Sequence, residues 1–565
     1  MISGLPWGLP PGWVLILGAF LIPLLPRPIK TSYLAILPLV GIYHLGMIDA
    51  SSIGILRLTG HDLTLARVDG LSRIFAYIFS VAAFFGMVYA RALRDDRQHM
   101  AALVYAGSGI GAVCAGDLIS LFVYWELTAL ASVFLIWCRG GERAFRAGMR
   151  YLMIQVGSGV ILLSGLVVRY LGTGDLSFGS IDPASPGAML ILLAFGIKAA
   201  FPLLHTWLTD AYPEATPTGT VFLSAFTTKL AIYGLARGFA GTELLIPIGV
   251  AMVFFTLLYA LLEDDLRRVL AYSLVNQLGF MVIAVGLGTE LAINGVAAHA
   301  VSHILYKSLL FMTIGAVLFR TGTAKASELG GLYRSMPLTL LFCAIGALGM
   351  SAPLFAGFAS KSLILSAAAK EHELGIWLTL LFGSVGVFLV AGIKVIWFTF
   401  FGSDKGFRCR EAPVSMLLGM ALTAVALIVL GIKPNLLYGA LPYPLDYELY
   451  TLEHVITQIQ LLVFTGLAFA IALRLGLLKQ KAGTLLDADW LYRRGLPVTM
   501  MALVKPVDRM WHRSTDLTLT LFGHVRRRLE YHYSEEGRLS ETWPTGRMVL
   551  WVASLLAAYL LLYQF

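Results

Sequence analysis

The chain has 565 residues, 58% hydrophobic and 13% charged, with a mean hydropathy of +0.79, a balance that excludes an ordinary soluble domain and indicates a polytopic membrane protein. Its 42 Lys and Arg against 33 Asp and Glu give a net charge of +9, which the positive-inside rule explains better than nucleic-acid binding does. Cys114, Cys138, Cys343 and Cys409 are dispersed, without C-x-x-C or short Cys/His spacing, so neither a metal site nor a disulfide framework is expected.

From the N-terminus, Gly4, Pro6, Pro10 and Pro11 precede a long apolar run without a charged leader region, so the first span is expected to remain. Apolar runs of bilayer length then recur, giving about sixteen spans, the first centred near residue 20 and the last near 555. Between the second and third, Ile53–Asp69 alternates apolar and polar residues around Gly60, His61 and Asp62, which predicts a hairpin outside the membrane.

Loops after odd-numbered spans are rich in Lys and Arg (Arg27, Lys30, Arg91, Arg94, Arg97, Arg139, Arg143, Arg146), and loops after even-numbered spans are poorer. This predicts a multi-pass protein of the cell inner (plasma) membrane with an extracytoplasmic N-terminus. The segment 479–545 then lies in the cytoplasm. It mixes Trp490, Trp511 and Phe522 with Arg493, Arg494 and Arg526–Arg528, the pattern of an amphipathic helix on a membrane or along a partner. Gly495, Pro497 and Pro506 are expected to forbid one unbroken rod, leaving Val507–Glu536 as a helix of about 45 Å. A solvated basic tail held by anionic lipid is the alternative.

Five ionisable groups fall inside apolar runs: Glu126, Lys198, Lys229, Lys307 and Lys361. A charge at bilayer depth costs about 2.5–3.5 kcal/mol on insertion scales, so such groups face an interior and carry function. Lys198 precedes Pro202 by four residues, which removes a helix hydrogen bond and predicts a break there. Gly349-Met-Ser-Ala-Pro353, followed by Lys361, predicts a second. Two interrupted helices, each with a lysine, point to an internal repeat around paired ion sites. His299, His303 and Lys307, spaced by four, form one helix stripe suited to proton transfer.

Other polar residues are more ambiguous. Lys394 is either an accessory group of the proton path or a lysine that simply snorkels to the cytoplasmic end. His205, Asp210 and Glu214 follow the first break and suit either an ion entrance or a loop-structuring role. Tyr272, Ser273, Asn276 and Gln277 either line water or bridge helices, and Asp117 is read as an N-cap.

These residues resemble the antiporter-like subunit family shared by Mrp-type cation/proton antiporters, respiratory complex I and membrane-bound hydrogenases. The resemblance is carried by Trp125-Glu126-Leu127, Lys198 through His205-Thr-Trp-Leu208, and Thr228-Lys229-Leu230. It continues through Asp265-Leu-Arg-Arg-Val-Leu-Ala-Tyr-Ser273, His303-Ile-Leu-Tyr-Lys307 and Gly357-Phe-Ala-Ser-Lys361. Ala211-Tyr-Pro-Glu-Ala215 and the chain length are most similar to the D subunit of Mrp antiporters. Thr216-Pro-Thr-Gly-Thr220 departs from the family's proline-and-serine run.

The resemblance implies an all-α core of about 14 helices with two inverted five-helix repeats, broken at about 190–208 and 338–368, plus extra C-terminal helices. It divides the chain into 1–95 (N-terminal helices and hairpin), 96–240 and 241–402 (the repeats), 403–478 (core helices), 479–545 (cytoplasmic segment) and 546–565 (final span). It implies a coupled Glu126–Lys198 pair, a central connection through Lys229 and Lys307, and Lys361 as the terminal proton site. A Glu–Lys pair at about 4 Å is worth several kcal/mol at an effective dielectric near 20, enough to direct a proton as it opens and closes.

Three classes follow: a proton-translocating subunit of a Na+ or K+/proton antiporter, a pumping subunit of a redox complex, or a structural subunit. All have other membrane subunits as partners. The chain lacks a Gly-rich dinucleotide turn and a haem-attachment motif, so no cofactor is expected in it.

Overall fold

Apolar runs that meet lipid fold as helices because the bilayer offers backbone N–H and C=O groups no other partner. A computed structural model describes residues 8–49, 53–58, 61–478, 486–534, 537 and 544–564. Residues 1–7, 50–52, 59–60 (including Gly60 of the expected hairpin), 479–485, 535–536 and 538–543 of the basic segment, and 565 lie outside the described residues. Contacts divide the chain into Met1–Leu485 and Leu486–Phe565.

In the first unit, α1 (Trp13–Ala19) and α2 (Arg27–Gly46) precede the antiparallel strands β1 (Ile53–Leu58) and β2 (His61–Arg67), the expected hairpin. There follow α3 (Gly70–Ala90), α4 (Asp96–Cys114), α5 (Leu118–Trp137), α6 (Gly141–Thr173), α7 (Ala188–Lys198), α8 (Thr206–Ala211), α9 (Gly219–Ala225) and α10 (Thr227–Gly238). The next elements are α11 (Leu245–Leu262), α12 (Leu266–Leu287), α13 (Glu290–Thr321), α14 (Pro337–Leu348), α15 (Ala356–Lys370) and α16 (Leu374–Val387), the last continued by π-helical turns to Phe401. Val414–Ile432 and Leu452–Arg474 complete the unit. Eleven helices among the described residues are long and apolar enough to cross a membrane, and Trp13–Leu24, Ala188–Lys198 and Pro337–Leu348 are shorter apolar helices. The remaining two expected spans fall on α2 and α4, which have 20 and 19 residues but are less apolar.

The repeat is visible in backbone pairing. Asp117 caps α5 and bridges to Ser177, while Asp265 caps α12 and bridges to Lys325. Leu118 N donates to Leu176 O at 2.8 Å, and Leu266 N to Ala324 O at 2.9 Å. The first motif opens the fifth span and the second the tenth, so the two copies run in opposite directions across the bundle. Each is followed by a long helix, α6 with 33 residues and α13 with 32, and then by a broken one. The most deeply buried helices are α10, α12 and α13. A helix buried all round belongs at the centre of a bundle, and these three carry Lys229, Ser273, His299, His303 and Lys307.

In the second unit, Leu496–Tyr533 is a single 38-residue helix with Pro506 inside it, and Thr545–Tyr563 is the final apolar helix. The expectation of a break at the prolines is therefore corrected. Pro497 lies in the first turn, where its missing N–H has no intrahelical partner to lose. Pro506 removes one interior bond without ending the helix.

Candidate functional site

Pro202 ends α7 at Lys198 as expected. Beyond it the chain reverses through Ala200 (φ 61) and Leu203 (φ 68), and Trp207 Nε1 donates to Ile197 O at 2.9 Å across the break. Lys198 is 0% exposed. Its ammonium donates to the Trp125 carbonyl at 2.7 Å and to Thr128 Oγ1 at 3.2 Å, and stands 4.2 Å from the Trp125 ring centroid.

No ion pair within 4 Å joins Lys198 to Glu126 among the described residues, although the two charges interact. The Glu126 carboxylate turns towards α6 instead. A methyl group at Gly159 would overlap its Oε1, and that oxygen is buried without a protein hydrogen-bond partner. The close pair expected from the sequence is thus open in this structure, because a backbone carbonyl one residue earlier takes the ammonium. One turn from Gly159 on α6, the buried Gln155 has no protein partner for either amide atom. Buried polar groups of this kind are ordinarily satisfied by water, so Glu126 and Gln155 mark a polar recess.

The second cluster lies on α10, α13 and α15. The chain breaks at Phe226 between α9 and α10 (φ −102, ψ −69), and Lys229 reaches back to the Ser224 carbonyl at 2.6 Å. Lys307 donates to Ser273 Oγ. His299 and His303 stack with ring centroids 5.8 Å apart, and His299 Nδ1 meets Ser360 Oγ at 3.0 Å. Both ring nitrogens of His303 lack protein partners. Lys229, His299, Lys307 and Lys361 all act electrostatically on His303, which places these five groups in one buried cluster. Lys361 donates to Ser351 Oγ at 2.8 Å and Ser384 Oγ at 3.1 Å, next to the second break, where Leu354 has φ 70.

Hydroxyls that were not singled out from the sequence lie between the clusters. Ser132 pairs with Tyr151 at 2.8 Å, and Tyr105 with Thr227, two residues from Lys229. Thr128 and Ser132 are one helical turn apart on α5, and that spacing was the available signal. Tyr306 donates to Gln277 Oε1, Gln277 to Asn276, and Asn276 to the Val253 carbonyl at 2.8 Å. Among the polar residues of α12, Asn276 therefore bridges helices directly.

The accessory residues fare differently. Lys394 does not snorkel. It is 0% exposed and donates to the carbonyls of Ala260, Leu261 and Glu263 at 3.0, 2.8 and 2.7 Å, which caps the C-terminus of α11. The correction follows from tertiary packing that lays α16's continuation against that helix end. Asp210 pairs with Arg150 at 2.8 Å and Glu214 with Arg143 at 2.6 Å, so both tie the loop after the first break to α6. His205 packs 4.6 Å from the Phe255 ring. Arg267, which the sequence placed only within the Asp265–Ser273 stretch of the resemblance, is 1% exposed and donates to the carbonyls of Pro213 and Ala215 at 2.8 and 2.9 Å. It binds the departing Thr216–Thr220 stretch to the start of the second repeat.

Comparison with known proteins bears on this arrangement. Residues 115–389 match the family model described as NADH:quinone oxidoreductase/Mrp antiporter, TM. The chain is 31% identical over 424 residues to the A-type Na(+)/H(+) antiporter subunit of Alkalihalophilus pseudofirmus, covering 66% of this chain and 52% of that one. It is 33% identical over 431 residues to an uncharacterised protein of Mycobacterium tuberculosis, covering 68% and 66%. It thus spans about half the length of the antiporter relative it matches.

Among solved structures, a chain of the Mrp complex from Dietzia sp. DQ12-45-1b superposes with a TM-score of 0.69 at 20% identity, covering 76% of this chain and 94% of that one. A chain of the membrane-bound sulfane sulfur reductase, an archaeal respiratory membrane complex, superposes with a TM-score of 0.70 at 23% identity, covering 97% and 99%. Both show the fold. With two oppositely oriented repeats, two broken helices and matching sequence over the repeat core, the chain belongs to the antiporter-like membrane subunits of the Mrp and complex I type.

Proposed function

We propose that this chain moves protons through the membrane as a subunit of a multisubunit monovalent cation (Na+ or K+)/proton antiporter. The observation that carries the reading is the pair of buried ionisable clusters with a line of hydroxyls between them. Lysines held by neutral carbonyls and hydroxyls rather than by carboxylates gain or lose a proton more easily than lysines in fixed ion pairs. Glu126 and Lys198 form the switch. With Glu126 turned away, Lys198 gives up its proton; when the carboxylate swings back, the ammonium is restored. Lys229, His303, His299 and Lys307 relay the charge to Lys361.

The D-like assignment rests on Ala211-Tyr-Pro-Glu-Ala215 and on chain length, whereas the named antiporter relatives are of the A type. The domain limits, the extracytoplasmic N-terminus and the cytoplasmic placement of 479–545 in the inner membrane belong to the same proposal, supported by the Lys and Arg bias.

A second reading, a proton-pumping subunit of a redox complex, is favoured by one observation: the near full-length superposition on a chain of the archaeal respiratory complex. In that case electrons and cofactors reside in other subunits. Purifying the tagged chain in mild detergent and identifying its partners by mass spectrometry separates the two. Small membrane subunits alone support the antiporter. Stoichiometric flavin or iron–sulfur subunits support the pump. Wild-type proton flux in a well-folded Lys198→Ala variant refutes both.

A further inference from the structure

A basic pocket lies where the N-termini of α2 and α4 meet the C-terminus of α3, away from the buried clusters. Its volume is about 530 Å³, and its walls include Arg27, Lys30, Arg91, Arg94 and His99. The two carboxylates in it are already engaged: Asp96 pairs with Lys30 at 2.6 Å, and Asp95 accepts from the Arg97 backbone at 3.0 Å and lies 3.5 Å from its guanidinium. Among the described residues no carboxylate stands within 4 Å of Arg27, Arg91 or Arg94. Three guanidiniums therefore converge on one pocket without a carboxylate partner within 4 Å among the described residues.

His99 supplies an independent observation. It is 3% exposed and lines the pocket. One ring nitrogen meets the Leu93 carbonyl at 3.1 Å, and the other, Nδ1, is buried without a protein partner. Because Nε2–H donates to that carbonyl, Nδ1 is the acceptor of a neutral imidazole, and it suits a hydroxyl donor rather than a phosphate oxygen. Guanidinium forks match phosphate oxygens geometrically.

The surroundings favour a lipid over a free phosphate. The approach to α2 carries exposed Phe20, Leu21, Leu24 and Ile29, an apolar surface adjoining the charged pocket. Basic pockets between spans at the cytoplasmic side hold anionic headgroups, and the Lys and Arg balance assigns this end of the bundle to that side. We propose that this pocket binds the headgroup of an anionic phospholipid, its phosphate on Arg27, Arg91 and Arg94 and a headgroup hydroxyl on His99 Nδ1, with the acyl chains along Phe20, Leu24 and Ile29.

The test uses the full chain in its native complex, delipidated in mild detergent and titrated with fluorescent phosphatidylglycerol read by polarisation. Phosphatidylcholine and inorganic phosphate serve as competitors. Unlabelled phosphatidylglycerol is expected to displace the probe, with phosphatidylcholine and inorganic phosphate ineffective. Arg91→Gln/Arg94→Gln is expected to weaken binding by about 25-fold, at about fivefold for each surface charge. Lys405→Gln/Arg410→Gln, two exposed charges outside the pocket, is the control and leaves affinity unchanged. If the double variant does not fold, the single exposed Arg94→Gln carries the test with an expected loss of about fivefold. Unchanged affinity in the pocket variants, or displacement by phosphatidylcholine, overturns the proposal. Displacement by inorganic phosphate as effective as by the lipid overturns the lipid source and leaves an anion site.

Discussion

Lys198 donates a hydrogen bond to the carbonyl of Trp125 at 2.7 Å and not to the carboxylate of the next residue, Glu126. A carbonyl cannot give up its acceptor role by titrating, whereas a carboxylate can. The ammonium is thus held by a weaker, fixed dipole while its charged partner rests over Gly159. In the switch proposed above, the moving element is the Glu126 side chain.

Replacing either member removes the switch. Lys198→Ala and Glu126→Gln are each expected to reduce proton flux at least tenfold in proteoliposomes containing the complex, about 1.4 kcal/mol or more in barrier. Assembly, judged by complex yield and melting temperature, is expected to hold, because neither residue is locked in an ion pair that the fold depends on.

Gly159 provides a sharper probe. Added bulk there overlaps Glu126 Oε1, while a methyl group at Gly157, half a turn away, meets nothing within 4 Å. Gly159→Ala is expected to lower flux several-fold by displacing the carboxylate. Gly157→Ala is expected to leave flux unchanged and to gain about 0.5–1 kcal/mol of helix stability. Equal flux in the two variants would show that the seat over Gly159 does not matter.

Lys361 and Lys394 should separate by phenotype. Lys361 is bound by two serine hydroxyls, and Lys361→Ala is expected to abolish flux in a complex of normal yield. Lys394 satisfies three carbonyls at a helix end. Lys394→Ala is expected to cost about 3 kcal/mol of stability, seen as a lower melting temperature and yield, with flux per assembled complex retained.

On the hairpin side, Arg237 donates to both oxygens of Asp69 at 2.6 and 2.7 Å. Burial alone raises the Asp69 carboxyl, but the Arg237 charge, its hydrogen bonds and those from Ser72 outweigh that and leave it below the usual carboxylate value. A depressed folded value means the contribution is present above the unfolded value of about 3.9 and is lost as pH falls through the folded one. Asp69→Asn is expected to lower the melting temperature at pH 7, and the difference from wild type should shrink as the pH drops below about 4. A difference that stays constant across that range would rule out this ionic link.

The broken helices were legible because the cause is local: Pro202 denies Lys198's carbonyl its donor, and Pro353 does the same to Gly349's carbonyl in the second repeat. The hairpin and the Asp117 cap were legible for the same reason, as alternation and an N-terminal acid act over a few residues. The continuous Leu496–Tyr533 helix was not, since one interior proline weakens a helix without fixing where it ends. Nor was the seat of Lys394, which depends on α11 ending where the continuation of α16 crosses it.

By itself, then, the sequence determined which stretches are apolar enough to cross a membrane, where two of them break and which charges fall inside apolar helices. Hydropathy and the missing proline donor operate within one helix. Only the tertiary structure decided what each charge meets: a carbonyl for Lys198, serines for Lys307 and Lys361, a helix end for Lys394. A lysine ammonium reaches several ångströms from its own backbone, and its partner is chosen by the crossing of helices up to more than a hundred residues apart.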